Sequence, residues 1–460
     1  MNMLFLRQTA PKTRALQRCT LIAPPITVLG SVKPASSRHS ISKCFSTSRP
    51  EPQATRDGAL KGLRVLDLSR VLAAPFCTQI LADYGADVIK IEALTKGDDT
   101  RHWMMPGEPA KWKPEAGPMS NYFSSVNRNK RSVTLNLKRP KGKAILLGLA
   151  KHADVVVENF KPGTMDRLGL GYERLREHNP GLVYASLSGY GTTGPYANRG
   201  GYDPIAGAEA GLLHVTGERD GSPVRPGIGM VDMATGLYMH GAILAALHAR
   251  GQSGKGQRVD GSLFETQISL LTNVGLSWLN LGIEAERWGC QHPSIVPYDA
   301  FKTKDLHLVC GATNDAQFAD LCRLVGLESL ITDERFSTNP KRVENRELLK
   351  PIFDAEFKKR STAEWMTKFE GTGLPFAPIN NMERTFSHPQ AEARDMIASV
   401  PLDAAEAGHI RLIGPAVKFS ETKPAIRSVP PCLGQDTDQV LSELGINEQE
   451  RAKLREEGIV

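Results

Sequence analysis

The chain has 460 residues, of which 40% are hydrophobic and 23% charged, a composition typical of a globular protein with two domains or one elaborated α/β domain. Residues 1–50 hold eight of the 57 Lys and Arg residues and no acidic residue, so the rest of the chain is close to neutral despite a net charge of +7. This balance excludes the concentrated basic face of a nucleic-acid-binding protein, and the absence of a long uninterrupted apolar segment predicts no membrane span.

The first 50 residues have the composition of a targeting segment. They are rich in Arg, Ser and Thr, lack Asp and Glu, and begin with a stretch that can form a basic amphipathic helix. These features are typical of a mitochondrial transit peptide rather than of a secretory signal. We therefore expect residues 1–50 to be a transit peptide and disordered tail, and the mature protein to reside in the mitochondrial matrix.

From Gly62 onward, short β-branched segments alternate with helical ones. Strands are predicted at "LRVLDLS", "ADVIKIE", "VTLNL", "DVVVENF" and "LVYASLS", with one intervening helix beginning near Pro75 and another over Lys141–His152. Strands separated by single helices favour a parallel sheet covered on both faces. The predicted fold class is therefore α/β, with ligands bound outside the carboxyl ends of the strands.

A glycine-rich stretch follows the last of these strands. Gly189, Gly191 and Gly194 have the spacing G-x-G-x-x-G, but a dinucleotide-binding fingerprint also needs a helix opening at the third glycine and an acidic residue about 20 residues on. Pro195 and more loop-like sequence follow instead. We interpret the stretch as a mobile loop and expect no nicotinamide or flavin cofactor.

Metal ligands are not predicted either. The seven cysteines are scattered, with no C-x-x-C pair and no histidine at metal-ligand spacing. Those outside the first 50 residues are interpreted as small apolar core residues.

The second half of the chain begins with longer helices. A helix is predicted over Met233–Arg250, with small residues along one face for close packing, and a second long helix extends to about Gly282. Residues 286–380 are predicted to form a smaller α+β unit. The C-terminal part returns to strand, loop and helix.

Asp232 stands at the start of the first long helix, and two roles for it remain open. Aspartate is a preferred N-cap residue, which is a purely structural role. The positive end of the helix dipole would also hold a carboxylate there in its ionised form, and Gly227, Gly229 and Ala234 would leave it open to a bulky substrate. An exposed, oriented carboxylate can act as a covalent nucleophile on an activated acyl group.

Basic residues cluster near the predicted carboxyl edge of the sheet. Arg128, Lys130 and Arg131 lie in "VNRNKRS", and Lys161 and Arg167 follow the strand "DVVVENF". Such clusters are typical of surface charge, and they also suit a ligand that carries several phosphates.

The sequence between Leu60 and Val460 resembles the class III, formyl-CoA-transferase-like CoA-transferases. The resemblance is carried by ordered motifs that include "RVLDLSRVLAAP", "GADVIKIE", "VENFKPGTMDRLGLGYE", "NPGLVYASLSGYGTTGP", "GMVDMATG" and "LGQDTDQVLSELG". The stretches "GDDTR", "HPSIVPYDAFKTKD" and "GLPFAPINNM" are closer to the mitochondrial succinyl-CoA:glutarate CoA-transferase branch. That branch moves CoA between succinate and dicarboxylates such as glutarate, itaconate and 3-hydroxy-3-methylglutarate.

The resemblance implies a particular architecture. A Rossmann-like large domain with a parallel sheet would be built from residues 60–263 and 381–460, with a linker helix over 264–285 and a small α+β domain over 286–380. Two such chains would interlock as a homodimer. Coenzyme A is expected as a co-substrate, with no permanently bound cofactor and no metal, and the partners are succinyl-CoA and dicarboxylic acids.

The resemblance also implies the roles of individual residues. Asp232 would attack the acyl-CoA thioester and pass through a mixed anhydride and an enzyme–CoA thioester. The implied CoA-binding residues are Val71, Lys138, Asn159, Phe160 and Arg167. Tyr122, Tyr202 and Asp203 match substrate-site positions, and the glycine-rich loop leads to the last two.

The distal carboxylate of a dicarboxylate needs a cation if it is buried. The candidates are Arg101, Arg225 and Arg287, with His292 as a polar partner, and each has a structural ion pair as its alternative. We rank Arg101 and Arg287 first because they lie in the branch-specific motifs. Formyl-CoA transferases have glutamine where this chain has Leu72, so formate and oxalate are not expected as acceptors.

Two alternative functions were weighed. The α-methylacyl-CoA racemases of the same superfamily need paired histidine and aspartate bases, but Tyr202 stands at the histidine position in "GYD", and a phenol is a poor base near neutral pH. A CoA-binding protein without activity is disfavoured by the intact Asp232. The sequence does not distinguish among the dicarboxylates, because a pocket discriminates one methylene by only about 1–3 kcal/mol.

Overall fold

The computed structural model describes residues 57–460, so the predicted targeting segment, residues 1–50, lies outside the described residues. The strands are β1 (Arg64–Asp67), β2 (Asp87–Glu92), β3 (Lys130–Thr134), β4 (Val155–Glu158), β5 (Val183–Ser188), β6 (Arg258–Ser262), β7 (Tyr298–Lys302), β8 (His307–Gly311), β9 (Phe376–Pro378), β10 (Ile397–Pro401) and β11 (His409–Ile413). The helices are α1 (Ala73–Asp83), α2 (Asn121–Ser125), α3 (Pro140–Ala150), α4 (Thr164–Arg167), α5 (Tyr172–His178), α6 (Asp203–Glu209), α7 (Met230–Ser253), α8 (Leu263–Leu270), α9 (Thr272–Leu281), α10 (Asp315–Val325), α11 (Asn339–Glu344), α12 (Arg346–Phe357), α13 (Thr362–Phe369), α14 (Met382–Phe386), α15 (Pro389–Ala393), α16 (Thr437–Glu443) and α17 (Glu448–Glu456).

The first six strands form one parallel sheet. Their order is β3-β2-β1-β4-β5-β6, and each neighbouring pair is parallel, with Leu66 of β1 opposite Ile89 of β2 and Val156 of β4. Strands β2 and β3 are added on one side of β1, and β4, β5 and β6 on the other, so the strand order switches between β1 and β4. Ligands of such folds bind at that switch point, outside the carboxyl ends of the strands. The predicted α/β class with a parallel sheet is confirmed.

Neighbouring residues of each strand point to opposite sides of the sheet. Because apolar side chains therefore project from both faces, helices cover both faces. Val65 of β1 belongs to a buried cluster with Cys77 of α1 and Ile243 of α7. Leu66 belongs to a second cluster with Leu146 of α3 and with side chains of the C-terminal helices α16 and α17. The C-terminal chain therefore shares a core with the N-terminal strands.

The middle of the chain has a sheet and a core of its own. Strands β7, β8 and β9 form a three-stranded antiparallel sheet. Its buried cluster spans residues 296–374, with contributions from α10, α12 and α13, and is rich in Phe and Trp side chains. A separate antiparallel pair, β10–β11, follows later in the chain.

Helix α7 packs closely on α1. Gly236 allows this approach, because a Cβ atom built there would lie 2.6 Å from the carbonyl oxygen of Ala73. Within residues 57–460, α7 is the one helix whose length and apolar composition would suffice to cross a membrane. Its buried residues, including Val231, Met239 and Ile243, belong to the cluster that covers the sheet.

The second long helix, predicted to continue to about Gly282, is interrupted. Helix α8 ends at Leu270 and α9 begins at Thr272, whose φ of 43° lies in the left-handed region. A β-branched residue in that conformation breaks the helical path, so the prediction of one continuous helix is wrong at this point.

Candidate active site

Asp232 lies in the first turn of α7, and the N-cap of that helix is Gly229. The N-cap role considered for Asp232 therefore does not apply. Asp203, the first residue of α6, instead caps α7 from outside, since its Oδ2 atom accepts hydrogen bonds from the backbone N–H groups of Val231 (2.8 Å) and Asp232 (3.2 Å).

This arrangement reverses the electrostatic expectation for Asp232. Burial, and secondly the nearby charge of Asp203, raise the pKa of Asp232 from 3.8 to about 7. The helix N-terminus was expected to hold the carboxylate ionised, but Asp203 occupies the N–H groups that would do so and adds a negative charge. That expectation is wrong, and Asp232 exchanges its proton near neutral pH.

Asp232 lines a cavity of about 330 Å³, called the Asp232 cavity below. Its other walls come from the turn between β1 and α1 (residues 70–73), the segment after β4 (159–162) and the two ends of the glycine-rich loop (187–189 and 199–202). These are the carboxyl ends of β1, β4 and β5, where a parallel sheet places its ligands.

A second cavity of about 560 Å³ has Lys138 on its wall and is called the Lys138 cavity. Six of its other fifteen lining residues are leucine or isoleucine. Arg70 and Phe160 line both cavities, with the Arg70 guanidinium 5.8 Å from the centroid of the Phe160 ring. The two cavities are therefore neighbours that share these two side chains.

The implied CoA-binding residues lie around these two cavities. Val71, Asn159 and Phe160 line the Asp232 cavity, and Lys138 and Phe160 line the Lys138 cavity. The exposed Arg167 donates a hydrogen bond of 2.9 Å to the hydroxyl of Thr164, another residue of the Lys138 cavity.

The two tyrosines of the predicted substrate site lie near Asp232. Tyr202 is exposed and lines the Asp232 cavity. Burial, followed by the charges of Asp232 and Asp203, raises the pKa of Tyr122, and the charge of Arg225 opposes the rise. These interactions place Tyr122 and Arg225 close to the start of α7.

The cation predictions for the acceptor carboxylate have different outcomes. Arg101 is fully buried, and its guanidinium bonds both carboxylate oxygens of Glu92, at 2.7 and 2.8 Å, and the carbonyl oxygen of Pro431. All of this is internal to the fold, so the prediction that Arg101 binds the acceptor is wrong. The ion-pair alternative is what the structure contains.

Arg287 and His292 lie away from the lining of the Asp232 cavity. Arg287 donates to the carbonyl oxygen of His214 (3.4 Å) and packs beside Gly217, on the segment that leads to α7. His292 stacks on Tyr298 of the three-stranded sheet, with ring centroids 5.8 Å apart. Neither is among the residues that form the cavity wall.

The basic cluster "NRNKR" does not form a phosphate site. Its basic side chains are buried in ion pairs, Arg128 with Asp83, Lys130 with Asp67, and Arg131 with Asp87 and Glu443. The hypothesis of a ligand-binding cluster is wrong for these three residues. Lys161, in contrast, lines the Asp232 cavity.

The glycine-rich loop has no helix at Gly194, which confirms that it is not a dinucleotide fingerprint. The loop is pinched at its neck, because a Cβ atom on Gly189 would lie 2.6 Å from the Cα atom of Gly201. Within residues 57–460, no group of His, Cys, Asp and Glu side chains is placed to hold a metal ion.

Sequence reasoning missed two residues of this site. Arg199 lines the Asp232 cavity, lies 4.6 Å from the centroid of the Tyr196 ring and forms a 2.8 Å ion pair with Glu209. Asp98 bonds the backbone N–H of Val71. Asp98 belongs to the quoted motif "GDDTR", so a signal was present, whereas an arginine in a loop has no periodic signal.

Comparison with known proteins identifies the family of this chain. The family described as "CoA-transferase family III" matches residues 60–437. The chain belongs to CoA-transferase family III. The resemblance drawn from the motifs and the enzyme class, CoA-transferase, are therefore confirmed.

Individual members of family III resemble the chain over most of its length. It is 62% identical over 432 residues to an acyl-CoA transferase of Fusarium pseudograminearum, covering 94% of this chain and 95% of that protein. It is 44% identical over 398 residues to the succinyl-CoA:glutarate CoA-transferase of Homo sapiens, covering 86% of this chain and 89% of that protein. A solved structure of a CAIB/BAIF family protein from Brucella suis has a TM-score of 0.76 and 37% identity, covering 84% of this chain and 100% of that one.

For a family III CoA-transferase, the position of Asp232 has a chemical consequence. A carboxyl group with a pKa near 7 is ionised in about half of the molecules at neutral pH. It is then both a stronger nucleophile and a poorer leaving group than an ordinary aspartate, because basicity and nucleophilicity rise together.

Proposed function

We propose that this protein moves CoA from succinyl-CoA to a dicarboxylate acceptor, namely glutarate, itaconate or 3-hydroxy-3-methylglutarate, by covalent catalysis at Asp232. The observation that carries the proposal is a carboxyl group on the wall of one cavity, which shares Arg70 and Phe160 with a second cavity edged by Lys138. The name of the human relative supports succinyl-CoA as donor and glutarate as one acceptor.

The first half-reaction releases succinate. The Asp232 carboxylate attacks the thioester carbonyl of succinyl-CoA, which forms a mixed anhydride and expels the CoA thiolate. The thiolate then attacks the aspartyl carbonyl carbon, so the enzyme holds CoA as a thioester and succinate leaves with one oxygen atom of Asp232.

The second half-reaction runs the same steps with the acceptor. The acceptor carboxylate attacks the enzyme thioester, forms a new mixed anhydride and expels the thiolate. The thiolate attacks the acyl carbon of the acceptor, and acceptor-CoA leaves. Asp232 is regenerated with one oxygen atom that came from the acceptor.

The two cavities support this sequence of steps. Coenzyme A is long, and its thiol must reach Asp232 while its phosphates remain near basic groups. The basic residues on the cavity walls are Arg70, Lys138, Lys161 and Arg199. The walls of the Asp232 cavity also limit the access of water to the anhydride, which hydrolysis would otherwise destroy.

The oxygen balance provides a test. With an acceptor labelled with ¹⁸O in its carboxylates, Asp232 should gain label after one turnover, and succinate released in the next turnover should carry it. Turnover without label in the peptide that contains Asp232 would contradict the mechanism. Initial rates from succinyl-CoA with glutarate, itaconate, 3-hydroxy-3-methylglutarate and oxalate identify the acceptor, and we expect oxalate to be the poorest.

Arg225 is our choice for the distal carboxylate of the acceptor. Its charge acts on Tyr122, which also interacts with Asp232, and no ion pair to another side chain in residues 57–460 occupies it. Arg225→Met should raise the acceptor KM about tenfold or more, because hydrogen bonds to a charged group are lost.

The control for this test is Arg219→Met. Arg219 lies on the same segment but pairs with Glu347 at 3.0 Å and lies over the ring of Trp288. The acceptor KM should be unchanged in this variant. An unchanged KM in Arg225→Met would remove Arg225 as the acceptor-binding cation.

We propose further that two chains form the functional homodimer. None of the ten residues of α9 is buried in the single chain, although Leu276 (59%), Trp278 (55%) and Leu279 (77%) are large apolar side chains with high exposure. Apolar surface of this extent is typical of an interface between subunits. Light scattering should give the mass of two chains, and Trp278→Glu with Leu279→Glu should reduce it to one; a wild-type mass of one chain would contradict the proposal.

The mitochondrial matrix remains our proposal for the location of the enzyme. The support is the acid-free, Arg- and Ser-rich composition of residues 1–50. Import of the full chain into isolated mitochondria, followed by N-terminal sequencing, should give a mature protein shortened within this segment. Full-length protein that stays outside would contradict it.

A further inference from the structure

Val71 has a backbone conformation that a β-branched residue rarely adopts. It lies in the turn between β1 and α1 with a φ of 75°, in the left-handed region favoured by glycine. Such a conformation persists only where surrounding groups hold it. Val71 lines the Asp232 cavity, so the strained residue is part of the site wall.

Three side chains from neighbouring strand ends bond the backbone of three consecutive residues in this turn. Lys90 Nζ donates to the carbonyl oxygen of Ser69 (2.8 Å). The Asn159 amide accepts from the N–H of Arg70 (2.9 Å) and donates to the carbonyl oxygen of the same residue (2.7 Å). Asp98 Oδ1 accepts from the N–H of Val71 (3.1 Å). These bonds therefore hold the backbone up to the N–H of Val71, directly before its strained φ bond.

Asp98 is the most constrained of these three groups. It is fully buried, forms a 3.0 Å ion pair with the equally buried Lys90, and accepts hydrogen bonds from the backbone N–H and hydroxyl of Thr100. Burial alone would raise the pKa of Asp98, but the charge of Lys90 and the Thr100 bonds hold it below its ordinary value. Asp98 is thus ionised, and a charged acceptor holds an N–H group more strongly than a neutral one.

Both polar atoms of the Asn159 amide contact this turn, since its oxygen and its nitrogen each form one hydrogen bond with the backbone of Arg70. The resemblance implies that Asn159 also binds CoA, and the amide keeps a second N–H for such a contact. Asn159 therefore contributes to the site through the turn as well.

The next residue, Leu72, transmits the conformation of the turn to the catalytic helix. A Cβ atom built on Gly229 would lie 2.9 Å from Cδ2 of Leu72 and 3.7 Å from the Cβ atom of Asp232. Leu72 therefore lies directly against the N-cap of α7, next to the nucleophile. A change in φ of Val71 would move Leu72 off this contact.

We propose that Asp98 and Asn159 are positioning residues that hold Val71 in its left-handed conformation, so that Leu72 packs on Gly229 and Asp232 keeps a fixed place in its cavity. The inference rests on the proposed nucleophilic role of Asp232. It assigns function to two residues that need not touch the reacting atoms.

A glycine substitution separates positioning from a general structural role. Asp98→Ala and Asn159→Ala should each lower kcat about tenfold or more, with a smaller change in the KM for succinyl-CoA, because the strained turn relaxes. Glycine adopts a positive φ without strain, so adding Val71→Gly to either variant should restore kcat at least about threefold. Double variants no faster than the product of the single effects would overturn the proposal.

Controls address stability and specificity. Asp98 is buried beside Lys90, and its replacement carries the larger risk of unfolding the protein. Asn159 is only half-buried, so Asn159→Ala carries the same test without that risk. Asp395 also has a positive φ, of 51°, on the exposed surface. Asp395→Gly relieves a similar conformation elsewhere, and rescue of Asn159→Ala by this change would count against the proposal.

Hydrogen exchange separates a failure of this inference from a failure of the proposed function. Amides at 229–233 should exchange faster in Asn159→Ala than in the wild-type protein, and the protection should return when Val71→Gly is added. If protection responds in this way but no variant transfers CoA, the proposed function fails alone. If the wild-type protein transfers CoA and neither kcat nor protection is rescued, the positioning role fails alone.

Discussion

The two sheets of the described chain bury different kinds of side chain. Around the three-stranded sheet the core is aromatic, and Phe357 stacks on Phe301 with ring centroids 4.5 Å apart and lies 5.0 Å from Trp365. At the carboxyl edge of the parallel sheet the buried groups are charged instead. Fully buried there are Asp67, Lys90, Asp98, Arg101 and Lys130.

The difference teaches where stability and function reside. Aromatic packing removes large apolar areas from water and adds favourable ring contacts. Buried charges cost free energy unless they are paired, and even a paired set gains little over apolar packing. The charged edge therefore contributes geometry, which Val71 and Asp232 need, and the aromatic core contributes stability. Substitutions in the aromatic core should therefore change stability, and substitutions at the charged edge should change activity.

The largest effect on stability should follow from Phe357→Ala. The side chain is fully buried, and truncation of such a residue costs about 3–5 kcal/mol. The residue lies outside the lining of the Asp232 cavity, so kcat below the melting temperature should stay unchanged. Chemical denaturation measures the loss of stability and steady-state rates measure kcat, with the exposed Lys359→Ala as control. A parallel loss of kcat would contradict the separation of stability from activity.

Gly229→Ala should produce the converse result. The added methyl would lie 2.9 Å from Leu72 and must displace it or α7, and overpacking of this kind costs about 1–3 kcal/mol. If the overpacking is relieved by a displacement of Asp232, kcat should drop about 10- to 100-fold. Gly241→Ala is a matched control in the same helix, since nothing lies within 4 Å of its added methyl. Equal rates in the two variants would contradict the contact between Leu72 and the catalytic helix.

Asp232→Asn should stabilise the protein, in a pH-dependent way. The pKa of Asp232 is 3.8 in its ordinary state and about 7 in the fold, so the folded state favours the protonated form. The wild-type protein should lose stability relative to the variant as pH rises from about 4 to 7, and the difference should level off above 7. We expect the difference in unfolding free energy to reach up to about 4 kcal/mol at pH 8 and to be below about 1 kcal/mol at pH 4, measured by denaturation at both pH values. A variant less stable than the wild-type protein at pH 8 would contradict the account, in which burial disfavours the ionised form of Asp232.

The smallest effect should be a shift of the pH–rate profile. In the proposed mechanism the ionised form of Asp232 attacks the thioester, so kcat/KM should rise with pH through about 7. Asp203→Asn keeps an acceptor for the N–H groups of α7 and removes the second cause of the raised pKa. The midpoint should then move to lower pH, and a midpoint that stays in place or moves upward would exclude Asp203 as a cause.

The fold class and the family could be predicted because their signals are local. Alternating strands and helices predict the parallel sheet, and the motif around Asp232 identifies the start of α7. The role of Arg101 depends on Glu92 and on the carbonyl oxygen of Pro431, which is 330 residues away in sequence. A distant pairing of this kind leaves no pattern in a single sequence.

The pKa of Asp232 illustrates the same limit. The helix dipole is a local effect and predicts an ionised aspartate. Asp203 lies 29 residues earlier and reaches the same N–H groups through the fold, and burial depends on the walls supplied by four segments. Tertiary contacts reversed a correct local argument.

Chemical trapping of Asp232 tests the central claim most directly. The wild-type protein would be mixed with succinyl-CoA, quenched with borohydride or hydroxylamine and digested, and the modified peptide identified by mass spectrometry. The account predicts a covalent mark on Asp232 that is absent in Asp232→Asn, together with the loss of CoA transfer. Undiminished transfer by Asp232→Asn, or a mark on a different residue, would contradict it.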